Sequence, residues 1–183
     1  MTTRARATID DLYQVPENRK AEIINGELIL MSPTGARPGR AASEVYISLR
    51  EYERRSGAGY AIPDNVGFLV NLPNRDSFSP DAAFYIGPTP DMQFLQGAPV
   101  FAVEVRSDND YGPAAERAIA EKRRDYFAAG TLIVWDVDLQ SPDVIKSYGA
   151  DDPDNPKVYR RGAMANAEPA LPGWEFPVDA LFI

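Results

Sequence analysis

Residues 99–137 decide the fold, and they read PVFAVEVRSDNDYGPAAERAIAEKRRDYFAAGTLIVWDV. The run from Pro99 to Val105 is almost wholly apolar, which is typical of a strand buried on both faces. A helix is predicted from about Ala114 to Ala129, with Gly130 suited to its C-terminal cap. A second apolar strand follows from Thr131 to Val137. This strand–helix–strand order predicts two parallel strands joined by a right-handed crossover.

Two acids in and before this unit are candidate site residues. Glu104 stands near the end of the first strand, where a buried carboxylate is costly unless it is paired or bound to a metal. The alternative is a strand-end carboxylate that faces solvent. Asp81 follows Pro80 at the start of another predicted strand. Taken alone, an aspartate after proline is more often a turn residue than a ligand.

Lys122 is the third candidate. It lies in the charged run 121–124, and such runs usually form a solvated helix face. Helical spacing argues otherwise, because Lys122 shares one face with Ala115, Ile119 and Tyr126, and that face is predicted to pack on the sheet. We therefore expect the Lys122 side chain to reach towards a partner.

The residues before this unit predict a hairpin and a helix that support it. Asn25-Gly26 separates two apolar runs, and a type I′ turn needs positive φ at both of its central residues, so residues 22–31 predict a β-hairpin. Residues 40–55 predict a helix that ends at the glycine-rich stretch 56–59. The apolar face of that helix consists of Val45, Leu49 and Tyr52.

Shorter elements complete the prediction of one domain over residues 1–183. Residues 1–20 are expected to be partly ordered, with one helical turn capped by Thr8 or Asp10. A further helical turn is expected near Met92. Strands are predicted within residues 60–72, 79–86, 144–148 and 157–160, the last two as a hairpin around a polar Asp-Pro loop, and residues 171–183 are predicted to form an irregular strap.

The composition restricts the chemistry of any site. The 183-residue chain contains no histidine and no cysteine, so imidazole bases, catalytic triads and thiolate metal sites are excluded. A metal would need oxygen ligands, which favours Mg²⁺ or Mn²⁺. The net charge of −8 argues against broad non-specific attraction to nucleic acid, although a local basic cleft remains compatible with it.

The composition also bears on location. Hydrophobic residues make up 44% of the chain and charged residues 25%, as in ordinary globular proteins. No apolar run approaches the roughly 20 residues that span a bilayer, and no apolar segment follows the first residues as in a secretory signal. We expect a cytoplasmic protein without a membrane partner.

Six short motifs follow one another along the chain: Glu22-x-x-Asn25-Gly26-Glu27-Leu28, Met31-Ser32-Pro33, Pro80-Asp81, Val103-Glu104-Val105-x-Ser107, Lys122-x-x-x-Tyr126-x-x-x-Gly130 and Trp135-x-Val137-Asp138. Together they resemble the Uma-two family of proposed restriction endonucleases, within the PD-(D/E)XK nuclease superfamily. The resemblance extends from about Glu22 to Phe182. It implies a mixed α/β (α+β) fold with a restriction-endonuclease-like core, in which helices flank a mixed central sheet.

The resemblance also implies roles for the candidates. Asp81 and Glu104 would be the metal-binding acids, and Lys122 would be the catalytic lysine supplied by the following helix. Arg106 occupies the position at which the superfamily usually carries its lysine, and it would pair with a phosphate oxygen or with one of the acids. Glu22 matches the family's early acid, as a ligand, a support or a hairpin edge residue. The remaining supporting residues are Ser107 and Tyr126.

These expectations add up to a Mg²⁺- or Mn²⁺-dependent DNA endonuclease, acting as a homodimer to cut both strands. One departure from the family pattern supports an alternative. The family commonly carries a histidine at the head of the first long helix, and the matching stretch 34–40 has none. The alternative is a catalytically degenerate nuclease-fold protein that acts in binding or assembly.

Overall fold

The computed structural model describes residues 6–16 and 19–182, so expectations for residues 1–5, 17–18 and 183 lie outside the described residues. The helices are α1 (Ile9–Tyr13), α2 (Ala36–Ser56) and α3 (Pro113–Ala128), and a 3₁₀ helix covers Val178–Phe182. The strands are β1 (Ala21–Ile24), β2 (Glu27–Leu30), β3 (Tyr60–Ile62), β4 (Phe68–Leu69), β5 (Ser77–Phe78), β6 (Ala82–Tyr85), β7 (Leu95–Gln96), β8 (Phe101–Val105), β9 (Ile133–Val137), β10 (Ile145–Gly149), β11 (Asp152–Tyr159), β12 (Met164–Asn166) and β13 (Glu175–Pro177).

The central sheet has the strand order β11-β10-β9-β8-β6-β3. Strands β8 and β9 run parallel, with Phe101 opposite Ile133 and Val105 opposite Val137. The other neighbouring pairs of this sheet are antiparallel. Because α3 connects the two parallel strands, the predicted strand–helix–strand unit and the mixed α/β (α+β) fold are both confirmed.

The two long helices lie on opposite faces of the central sheet. Helix α2 packs on β3, β6 and β8, and its predicted apolar face is buried in a core that includes Val103 and Trp135. Helix α3 covers the other face, where Tyr126 packs with Ala102 and Val134. Successive strand residues point to opposite faces, so β8 can contribute to both cores at once. Glu104 follows the alternation and points towards α3.

The N-terminal hairpin is also confirmed. Strands β1 and β2 pair around Asn25 and Gly26, whose φ angles are 52° and 74°. These positive values match the type I′ turn that the sequence predicts. One connection between the hairpin and the rest of the molecule is the β-bridge of Ile24 with Arg75. Helix α1 precedes the hairpin, and Thr8 rather than Asp10 caps it.

Several boundaries differ from the prediction. Helix α2 begins at Ala36, earlier than predicted, because Pro38 falls in the first turn, where its missing N–H costs no helical hydrogen bond. The helical turn expected near Met92 is absent from the described residues, and the short strand β7 follows instead. β7 pairs with β4, which lies far away in sequence. The expected Asp-Pro loop is part of strand β11.

The C-terminal segment is more regular than the predicted strap. Strand β13 pairs with β12, and the 3₁₀ helix then packs on α2. Trp174 lies between these elements and is 1% exposed, with its ring 5.3 Å from that of Trp135. Its indole N–H donates to the Ser48 hydroxyl at 3.1 Å. The tail therefore closes the core on the α2 side. None of the described helices has the length and apolar character needed to cross a membrane.

Candidate active site

Glu104 is the carboxylate at the centre of the candidate site. Its Oε1 accepts a 2.6 Å hydrogen bond from the Tyr126 hydroxyl. The Lys122 ammonium lies 2.8 Å from the same oxygen and 2.9 Å from Oε2. Lys122 and Tyr126 are one turn apart on α3, so they share the face that meets the sheet. Lys122 therefore reaches Glu104 from the side of α3 that faces the sheet, which is the side that helical spacing predicts.

Asp81 lies beside Glu104 at the end of the neighbouring strand. It directly precedes β6, whose first residue, Ala82, pairs with Val103 of β8. Asp81 Oδ2 accepts a 2.8 Å hydrogen bond from the Val105 N–H, which belongs to the residue that follows Glu104. The strand pairing and this hydrogen bond hold the two predicted metal-binding acids on adjacent strand ends.

A second lysine contacts Asp81, one of these two acids. The Lys20 ammonium lies 2.7 Å from Asp81 Oδ1 and 2.7 Å from Asp64 Oδ1. Lys20 immediately precedes β1, and its carbonyl accepts a 2.9 Å hydrogen bond from the Met31 N–H across the hairpin. The hairpin thus positions a cation directly against Asp81.

Glu22 connects the hairpin to Lys122. Its Oε1 lies 2.9 Å from the Lys122 ammonium and accepts a 2.9 Å hydrogen bond from the Ser79 N–H. Its Oε2 contacts Arg75 at 2.5 Å, and Arg75 also donates to Asp125 at 2.8 Å. The Glu22 side chain is 1% exposed, so its charge is balanced almost entirely by protein groups. Lys122 is consequently held between two carboxylates, one from the hairpin and one from the central sheet.

The protonation states follow from these contacts. Burial raises the pKa of Glu104, as do its neighbours Asp81 and Glu22, although Lys122 opposes this shift. Burial alone would raise the pKa of Glu22, but Lys122 and Arg75 lower it below its ordinary value. Burial alone would lower the pKa of Lys122, but Glu104 and Glu22 raise it instead. Lys122 therefore stays an ammonium at neutral pH and acts as a fixed positive charge, not as a base.

The site is shallow and mostly filled by its own side chains. The side chains of Asp81, Glu104 and Lys122 are 19%, 26% and 18% exposed, so each reaches the surface. A cavity of only about 40 Å³ lies next to Glu104, between α3 and the sheet. A larger cleft of about 380 Å³ lies elsewhere, at the end of α2, and its acid Glu53 is engaged by Arg50 and the Ala61 N–H. A large substrate would have to meet the site at the protein surface.

The comparisons with known proteins identify the family and the fold of the chain. The model of the Uma2 family, described as "Putative restriction endonuclease", matches residues 9–179. The chain belongs to the Uma2 family. Among solved structures, a crystal structure from Anabaena variabilis ATCC 29413, described as "a putative nuclease belonging to DUF820", has the same fold with a TM-score of 0.74. It is 17% identical, and the alignment covers 96% of this chain and 97% of that one. No match was found among the curated proteins.

In this Uma2 protein, Arg106 pairs with Asp136 and Glu116. Its guanidinium donates to both carboxylate oxygens of Asp136 at 2.7 Å, and it also pairs with Glu116. Asp136 is buried and lies opposite Glu104 across β8 and β9. Of the two roles expected for Arg106, pairing with an acid is the one the contacts support, but that acid is neither Asp81 nor Glu104. The lysine next to Glu104 is therefore Lys122, which belongs to helix α3.

Two further expected positions of the Uma2 pattern lie outside this cluster. Ser107 donates to Asp110 from its backbone N–H at 2.7 Å and from its hydroxyl at 2.8 Å, so its contacts serve the loop between β8 and α3. The stretch 34–40, where the family resemblance implies a histidine, leads into and forms the first turn of α2. Its charged side chains are those of Arg37 and Arg40.

Three residues that contact the candidate site are not predicted from the sequence: Lys20, Asp64 and Arg75. Lys20 had a usable signal. It lies two residues before Glu22, and the period of two along a strand places both side chains on one face of the hairpin. Asp64 and Arg75 lie in loops, and no local pattern connects them with the acids.

Proposed function

We propose that this Uma2 protein is a metal-dependent DNA endonuclease that hydrolyses phosphodiester bonds. One observation supports the proposal above the others: Lys122 lies against Glu104, and Glu104 is next to Asp81 at paired strand ends. Two neighbouring acids can hold a divalent metal that polarises a phosphate and activates water, and a lysine in contact with one of them can stabilise the developing charge. The sequence predicts the same three residues.

The donor set fits a hard divalent cation. Asp81 and Glu104 offer carboxylate oxygens, which suit Mg²⁺ and Mn²⁺. Across residues 6–16 and 19–182, no three acidic side chains form a preformed cation cluster. That is compatible with Mg²⁺, which usually binds through one or two carboxylates and completes its shell with water and substrate phosphate. Asp81 and Glu104 would therefore hold the ion, which supplies polarisation of the scissile phosphate and activation of water.

The other residues would act on charge and position. Lys122, fixed as an ammonium, would stabilise the negative charge that develops on the phosphate. Tyr126 donates to Glu104 and thereby fixes the direction of that carboxylate. Glu22 also pairs with the Lys122 ammonium, so we propose a positioning role for it. The shallow site suits a polymer that lies across the surface.

DNA is the substrate we propose from the family, and the net charge of −8 requires that its contacts be local. Cutting both strands needs two sites, so we propose a homodimer as the active form. Size-exclusion chromatography with light scattering would measure the oligomer. The ratio of linear to nicked plasmid would show whether both strands are cut together.

Plasmid cleavage with Mg²⁺ or Mn²⁺ tests the proposal. Wild-type protein should convert supercoiled plasmid, and Glu104→Gln and Lys122→Met should each lose activity by about 100-fold or more. Lys157→Met is the matched control, because Lys157 is an exposed lysine of β11 that stacks on Tyr159, away from the site. Equal nicking by wild type and Glu104→Gln would show that a contaminant cuts the plasmid, and the proposal would fail.

The second candidate is a nuclease fold without catalysis that acts in binding or assembly. The contacts that favour it are those of Lys20 and Lys122, because each of the two proposed metal ligands is already paired with a lysine. This candidate predicts that plasmid stays intact with either metal while the protein remains folded. Metal binding without cleavage would separate a silent site from a lost one.

A further inference from the structure

The Lys20 ammonium occupies a position beside Asp81 that a divalent cation bound to Asp81 would also need. This inference rests on the proposed function, because it concerns the metal that Asp81 and Glu104 would hold. The Lys20 ammonium is 2.7 Å from Asp81 Oδ1. Magnesium binds a carboxylate oxygen at about 2.1 Å, so an ion on Oδ1 would lie within roughly 5 Å of that ammonium. Two cations that share one oxygen at such distances repel each other strongly where solvent is partly excluded.

We propose that Lys20 is a displaceable cation that occupies the Asp81 side of the site and competes with the divalent metal for Asp81. The ammonium neutralises Asp81 and so stabilises this carboxylate. When Lys20 withdraws, Lys122 still pairs with Glu104, and the uncompensated negative charge of Asp81 beside it favours a dication.

The surroundings of Lys20 allow this withdrawal. The backbone at Lys20 is fixed by the Met31 N–H, whereas the side chain beyond it is a flexible four-carbon stem. Asp64 provides a second partner at 2.7 Å, and its side chain is 42% exposed. The ammonium can therefore leave Asp81 for solvent while it stays paired with Asp64. By contrast, Lys122 is held by two carboxylates, Glu22 and Glu104, and has no comparable outer partner among its described contacts.

If Lys20 competes with the metal, removing its side chain should change metal affinity in the direction opposite to that expected for a supporting residue. Removing a residue that merely shapes the site should weaken metal binding. Removing a competing cation should strengthen it, and should also make the metal-free protein less stable, since Asp81 and Asp64 then lose their shared cation. A metal-induced rise in melting temperature should therefore be larger in the variant than in wild type.

The test measures Mn²⁺ binding by two methods, isothermal titration calorimetry and the EPR signal of free Mn²⁺. Wild type, Lys20→Met, Lys20→Gln, Lys157→Met and Glu104→Gln are compared as full chains, with circular dichroism to check folding. Both Lys20 variants should bind Mn²⁺ about tenfold more tightly or better, as expected when a repelling charge is removed. Lys157→Met removes the same charge elsewhere and should match wild type, and Glu104→Gln should lose binding.

The outcomes separate the two proposals. Equal or weaker Mn²⁺ affinity in folded Lys20→Gln, with binding still lost in Glu104→Gln, would overturn the role of Lys20 and leave the metal site standing. Binding by the Lys20 variants but not by wild type would support the competition in its strongest form. Absence of Mn²⁺ binding in wild type and in both Lys20 variants would overturn the metal site and, with it, the role of Lys20.

Discussion

The Tyr126 hydroxyl donates a 2.6 Å hydrogen bond to Glu104 Oε1, and both residues belong to the face where α3 meets the sheet. A hydrogen bond to a carboxylate favours its charged form. Removing the hydroxyl with Tyr126→Phe should therefore raise the pKa of Glu104 further. The acidic limb of a cleavage–pH profile should move to higher pH, and urea unfolding should show a loss of about 1.5–3 kcal/mol. An unchanged limb would mean that Glu104 does not control the profile.

Glu104 and Glu22 should have opposite effects on how stability depends on pH. The pKa of folded Glu104 is raised from an ordinary value of 4.5, so between that value and the raised one the folded state binds more protons. Its contribution to stability therefore falls as pH rises through this window. The pKa of Glu22 is lowered, so its contribution is complete above 4.5 and is lost as pH falls through the folded value.

Urea unfolding across the acidic and neutral range measures both effects. The stability advantage of wild type over Glu104→Gln should shrink as pH rises. Its advantage over Glu22→Gln should shrink as pH falls. Parallel curves for wild type and both variants would contradict the assigned directions.

Arg75 should be one of the most sensitive positions in the fold. Its side chain is 4% exposed and neutralises both Glu22 and Asp125. Arg75→Met leaves two enclosed carboxylates short of a cation and should cost about 3–5 kcal/mol in urea unfolding at neutral pH. Arg160→Met is the surface control, since Arg160 pairs with Asp143 at 2.8 Å but is 69% exposed, and it should change stability little. Similar losses in the two variants would argue that Arg75 gains nothing from its burial.

Arg106→Lys tests whether a lysine adds activity at the position where the resemblance to the PD-(D/E)XK superfamily implies one. A lysine cannot reproduce the two-pronged contact with Asp136, so the substitution should cost about 2–3 kcal/mol of stability. Cleavage should not increase, because Lys122 already contacts Glu104. The double variant Arg106→Lys/Lys122→Met should remain inactive. Recovered cleavage in the double variant would show that the Arg106 position can still serve the site.

The sequence was most informative where local rules apply. Asn25-Gly26 predicts its hairpin because few residue pairs accept positive φ twice, and the parallel unit follows from two apolar runs around a periodic helix. Lys122 could be selected by helix phase. Lys20, Arg75 and strand β7 depend on pairing between distant segments, and nothing in their own neighbourhood specifies the partner. The direction of Arg106 likewise depends on Asp136, which the sequence places 30 residues away.

The hairpin, the sheet and α3 each supply part of the site, and the consequence concerns incomplete chains. A polypeptide that ends before α3 would contain Glu22, Asp81 and Glu104 but no Lys122 to complete them. One that lacks the hairpin would leave Lys122 without Glu22. If the proposed activity is correct, neither product of truncation could cut DNA, so a cell that makes this protein would be exposed to the activity only after the chain is long enough to fold.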